Sequence, residues 1–141
     1  MAVAPLVKFQ NFVEDLGLGV HNLNTGTIKV YLTNATPNVA THTVKADLAE
    51  ISAGNGYTAG GGDVSAVWSR TGGTATLTAT DFTWTASGGT IGPFRYAILY
   101  NDTPTSPADP LIAYFDYGSS ITPADGEQFS VGFGASILTL T

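Results

Sequence analysis

The chain has 141 residues, 5 Lys plus Arg against 11 Asp plus Glu, no cysteine and a net charge of −6. That length supports one small domain, and the lack of cysteine excludes disulfides, thiolate nucleophiles and cysteine-held zinc or iron. The acidic balance leaves no basic patch to neutralise phosphates, so nucleic acid is not an expected partner.

Hydrophobic residues make up 43% and charged residues only 11% of the chain, so it should fold while covering itself with unusually little charge. Either part of the surface is covered in an assembly, or Thr, Ser, Asn and Gly supply enough polarity for a monomer. No apolar run approaches the roughly 20 residues of a membrane-spanning helix, and Met1 to Pro5 lacks the basic start and apolar centre of a signal peptide. Neither a membrane nor secretion is expected.

In chain order, Thr27 to Thr33 alternates strictly, with Ile28, Val30 and Leu32 on one face and Lys29, Tyr31 and Thr33 on the other, as in a half-buried strand. Val44 to Ile51 is the one segment with helical character, a helix of about two turns in which Asp47 could equally be a cap. Val64 to Arg70 and Thr74 to Thr80 read as strands joined by a hairpin at Gly72-Gly73. The apolar phase then shifts from odd to even positions, so a bulge or turn belongs near Asp81 before Phe82, Trp84 and Ala86.

Phe94 to Tyr100 is apolar on both sides apart from Arg95, which predicts a central strand packed on two faces. Arg95 should therefore reach water at an edge or pair with a carboxylate, with Asp102 and Asp116 as the plausible partners. Asn101 to Asp109 is a proline-marked loop, Leu111 to Tyr117 a strand ended by a turn at Gly118, and Glu127 to Gly134 and Ser136 to Thr141 the last strands. Eight or nine short strands with at most one short helix predict an all-β fold, an antiparallel β-sandwich or jelly-roll-like barrel, occupying residues 1–141 as one domain.

Motifs for chemistry are sparse. Gly54-Asn55-Gly56-Tyr57-Thr58-Ala59-Gly60 matches the dinucleotide glycine pattern, but the required strand before it and helix after it are missing, so a sharply bent loop is the better reading. His21 and His42 have no metal-ligand spacing, no G-x-S-x-G elbow is present, and Asp102, Asp109, Asp116 and Asp125 are spaced like turn residues. No calcium-loop series occurs, and the sequons at Asn34 and Asn101 read as turns. No catalytic residue, metal site or cofactor is expected. Trp68, Tyr57, Trp84 and Tyr114 could serve a carbohydrate-binding module if several of them lined an exposed groove.

Three stretches together are more specific: Leu48-Ala49-Glu50-Ile51 ahead of the Gly54 to Gly61 loop, Phe82-Thr83-Trp84-Thr85-Ala86, and Ile91-Gly92-Pro93-Phe94-Arg95-Tyr96-Ala97-Ile98-Leu99-Tyr100-Asn101-Asp102-Thr103. With Leu111 to Gly118 they resemble small β-rich virion proteins of tailed bacteriophages, over residues 48 to about 133 and with little contribution from Met1 to Val44. The resemblance implies a non-enzymatic capsid decoration (cement) protein on the exterior of the virion, partnered by the major capsid protein and forming a homo-oligomer, a trimer by analogy with local three-fold positions. The alternatives are a tail or head fibre, another appendage component, or a host-recognition module that binds carbohydrate. A decoration protein should carry extended termini or docking loops, which makes the segment of about residues 1–13 and the glycine-rich stretch 54–63 the candidates. The expected assembly residues are Phe9, Phe12, Asn55, Tyr57 and Arg95.

Overall fold

The computed structural model describes residues 5–141. It is an all-β, sandwich-like fold built from antiparallel sheets, with one short helix. In chain order the elements are β1 (Leu6–Lys8), α1 (Asn11–Gly17), β2 (Ile28–Thr33), β3 (Gly62–Asp63), β4 (Val67–Thr71), β5 (Thr74–Thr78), β6 (Phe82–Thr85), β7 (Phe94–Asn101), β8 (Leu111–Ile121), β9 (Gln128–Val131) and β10 (Leu138–Leu140).

The main sheet has the order β1-β8-β7-β2-β3, and two smaller sheets, β10-β5-β4 and β6-β9, cover one of its faces. The alternation of side chains explains the layering. Val30 and Leu32 of β2 and Ala97 and Leu99 of β7 point into a core completed by Leu77, Trp84, Val131, Phe133 and Ile137 from the smaller sheets. The intervening residues, Tyr31, Tyr96, Ile98 and Tyr100, face the other way and are buried under Phe9, Leu48 and the segment carrying Ala35 and Val39. The β7 strand is therefore covered on both faces, as its two-sided apolar sequence predicts.

Local expectations need correction at three points. The Val44 to Ile51 segment forms only a 3₁₀ turn at Lys45–Asp47, because the Asp47 carboxylate accepts the Thr43 and Val44 backbone N–H groups while Glu50 pairs as an extended residue with Thr33. The helix lies instead at Asn11–Gly17, where Phe12, Asp15 and Leu16 form one inward stripe and the Asn11 amide donates to the Asp15 carboxylate at 2.8 Å. The stretch of about residues 1–13 is consequently not one extended arm. Leu6–Lys8 adds a strand to the chain's own β8, the helix begins at Asn11, and Ala2 to Ala4 lie outside the described residues.

Gly118 does not end β8. Phe94 pairs with Ile121 and Tyr96 with Asp116, so the residues between Asp116 and Ile121 bulge opposite Arg95, with Gly118 at φ +101° inside the bulge. The break at Asp81 falls as the phase change predicts. The chain leaves β5 at Thr78 and enters a different sheet at Phe82, and the Asp81 carboxylate accepts the Phe133 N–H at 3.0 Å.

Candidate assembly surface

The five expected assembly residues separate into two groups. Phe9, Phe12 and Tyr57 are 0%, 3% and 3% exposed, packed within the chain's own core, and so are not displayed for a neighbour. Phe9 fills the cluster above Tyr96 and Tyr114, and Phe12 packs against His21. Their burial is the correction that the tertiary fold makes to a reading of large aromatic residues in the terminal segment and the glycine-rich stretch as contact residues. Asn55 and Arg95 do reach the surface.

Asn55 sits at φ +55° and Gly56 at +99°, with reciprocal backbone hydrogen bonds between Gly54 and Tyr57, so the glycine-rich stretch is a tight turn with both central residues left-handed. The Asn55 amide donates to the Thr90 carbonyl at 3.0 Å and holds the turn against the loop after β6. An internal carboxylate takes up two of the loop's donors. Glu50 accepts the Gly60 N–H at 2.6 Å and the Tyr57 hydroxyl at 2.7 Å, and its second oxygen pairs with Lys45 at 2.7 Å. Lys45 in turn lies over the Tyr31 ring at 4.8 Å. Burial, reinforced by Glu50 and Tyr100, holds the Tyr31 phenol far above its ordinary range, and burial does the same for Tyr57.

Arg95 forms a bidentate pair with Asp116, at 2.8 and 3.0 Å, which settles its partner between the two carboxylates the sequence offers. The Arg95 hydrogen bonds hold the Asp116 carboxyl below the usual carboxylate range. Asp102 pairs with Lys29 instead, at 2.8 Å. Burial, with the charge of Asp102 next, raises the neighbouring Asp109. Neither acid lines the pocket beside Trp68 or the one beside Tyr117. Among the described residues no group of three or more metal-ligating side chains is assembled, and no helix is long and apolar enough to cross a membrane.

The aromatic residues that a carbohydrate groove would need do not converge. Tyr57 and Trp84 are core residues 6.0 Å apart, and Tyr114 packs between Phe9 and Tyr96. Trp68 alone borders a surface pocket of about 300 Å³, together with Leu16, His21, Asn22, Leu23 and Asn24.

A surface that sequence reasoning missed is the outer face of the β10-β5-β4 sheet. The registers place Val67, Ser69 and Thr71 of β4, Thr74, Thr76 and Thr78 of β5, and Thr139 of β10 on one side. None of these seven is charged and none is buried, and Val67 is 56% exposed. The opposite side carries Trp68 and Leu77 into the core. The signal was available as the alternation of Thr with Ala and Leu in Thr74 to Thr80, but only the pairing shows that the polar rows of three strands form one continuous face.

Compared with protein-family models, with the curated proteins and with the solved structures, the chain matches none.

Proposed function

We propose that this chain is a non-enzymatic structural protein of a bacteriophage virion, a decoration protein that binds the major capsid protein on the outside of the head. The observation that carries the reading is the hydroxyl-lined, charge-free outer face of the β10-β5-β4 sheet. Such a face has no strongly hydrated ions to strip on contact, so it can be covered by another protein at small desolvation cost, and its Thr and Ser hydroxyls remain available for hydrogen bonds. The resemblance of residues 48 to about 133 to small β-rich virion proteins supports the same reading, as does the use of the half-buried Glu50–Lys45 ion pair to tie down a loop. Decoration would stabilise the shell by mass action, since a ligand that binds only the assembled state shifts the equilibrium toward it.

The test is the copy number of the chain relative to the major capsid protein in purified virions, measured by quantitative mass spectrometry. Hundreds of copies support a shell-wide role. A few copies to a few tens move the protein to a fibre, neck or tail, and absence from the particle overturns the virion reading. A second reading, a host-recognition module, draws on the pocket where Trp68 stands beside Asn22 and Asn24. Binding of glycans by the isolated protein, lost in Trp68→Ala, would favour it.

A further inference from the structure

The β4 strand lies at the margin of its sheet, with β5 on one side and no strand on the other among the described residues. Its edge is unprotected by the usual devices: Val67 to Thr71 contains no proline, no bulge interrupts its pairing with β5, and Arg70 is its one charge. The ladder identifies which backbone groups are free. Gly72 at φ +60° begins a two-residue hairpin loop, so the flanking Thr71 and Thr74 form a hydrogen-bonded pair, and pairing alternates from there along the strand. The carbonyl of Leu77, opposite Trp68, accepts the Ile137 N–H at 2.7 Å and thus faces away from β4. Trp68 and Arg70 therefore point their N–H and C=O groups out of the sheet, whereas Val67, Ser69 and Thr71 point theirs toward β5.

We infer that β4 is a homodimer edge: two copies of this chain pair antiparallel through Val67 to Thr71 about a two-fold axis at Ser69, making one continuous six-stranded sheet. The occupant is a second copy because the strand is complementary to itself in this register. Trp68 of each copy then faces Arg70 of the other, which aligns the free backbone groups for hydrogen bonding and sets a guanidinium beside an indole on the inner side, twice. On the outer side Val67 meets Thr71 and Ser69 meets Ser69. No like charges stand directly opposite each other. The contact joins copies in pairs, in place of the three-fold ring that the resemblance implies, and it is independent of whether the chain belongs to a virion.

Engineered cysteines test the register, because the natural chain has none. In the proposed dimer the two Ser69 residues form a non-hydrogen-bonded pair with Cα atoms about 4.5 Å apart, within the range of about 4.4 to 6.8 Å that a disulfide spans. Ser69→Cys should give a covalent dimer under mild oxidation, whereas Thr76→Cys, on the same face but one strand in from the edge, should not. In sedimentation, the natural protein should run at twice the chain mass of 14.6 kDa. Arg70→Pro removes an outward N–H and leaves the β5 ladder intact, so it should run as a monomer with an unchanged circular dichroism spectrum. The inference is overturned if the natural protein is monomeric at tens of micromolar or trimeric, or if Ser69→Cys cross-links no faster than Thr76→Cys. A folded Arg70→Pro variant that stays dimeric overturns it as well.

Discussion

The Tyr57 hydroxyl donates to the Glu50 carboxylate at 2.7 Å and at the same time accepts the backbone N–H of Leu32 at 3.0 Å. The relationship completes the main sheet. Because β3 is only two residues long, Leu32 lies beyond its end, and the phenol supplies the acceptor that a longer neighbouring strand would have offered.

Tyr57→Phe leaves the Leu32 N–H without that acceptor and deprives Glu50 of a donor. Loss of a buried partner costs about 1–3 kcal/mol. The thermal midpoint should fall by roughly 3 to 10 °C in a domain of this size. Differential scanning calorimetry of the two proteins checks this, and an unchanged midpoint would show that water replaces the hydroxyl without loss.

His21 is buried, with Asn101 donating toward its Nδ1 at 3.4 Å and its Nε2 without a hydrogen-bond partner among the described residues. Burial lowers its pKa, opposed in part by the charge of Asp15. The unfolded chain then binds a proton on this histidine at a higher pH than the folded chain does. Stability should decline as the pH falls below about 6.5 toward the lower folded pKa. Melting curves between pH 7.5 and 5 should show this slope in the natural protein and a flatter one in His21→Gln.

For Asp116 the linkage has the opposite form. Its folded pKa is depressed by Arg95, so its contribution is present above the unfolded carboxylate value and is lost as the pH falls through the folded one. In Arg95→Ala the Asp116 carboxyl should titrate nearer the ordinary carboxylate value, and the thermal midpoint should fall only slightly because the pair is half-exposed. An NMR titration of the Asp116 carboxyl carbon measures the first effect. No upward movement would mean that the Gly118 N–H, bonded to Asp116 at 2.8 Å, sets its acidity instead.

Two glycines should respond in opposite ways to a methyl group. A Cβ on Gly61 would lie 1.8 Å from the Val30 carbonyl oxygen, and its φ of +76° disfavours any side chain. Gly61→Ala should lose several kcal/mol, about the scale of a severe core substitution, or fail to give soluble protein. Gly73 has open space around its Cβ direction and no positive φ, so Gly73→Ala should change stability by less than about 1 kcal/mol. Denaturant unfolding of both variants separates the two cases.

The elements that local alternation dictates were legible in the chain. The strand at Ile28 to Thr33, the Gly72-Gly73 hairpin, the phase change at Asp81 and the two-sided apolar run at Phe94 to Tyr100 all carry their structure in period and turn chemistry, although the strand expected to be half-buried has Tyr31 and Thr33 fully buried on its second face as well. They suffice for an antiparallel, sandwich-like, all-β fold, and the composition alone excludes cysteine chemistry.

What only the tertiary structure decided concerns residues whose state depends on distant neighbours. Val44 to Ile51 has helical residues and Asp47 is legible as a local cap, yet Glu50 is drawn into extended pairing with Thr33 and bonds to Tyr57 and Gly60, all of them outside the segment. Asn11 to Gly17 is helical because Phe12 and Leu16 find a core already built by strands from later in the chain. Phe9, Phe12 and Tyr57 have the composition of contact residues and are interior because the main sheet offers two faces to cover. The β4 edge could not be read from sequence at all, since a strand is an edge only by virtue of which other strands pair beside it, and pairing is a long-range property of the fold.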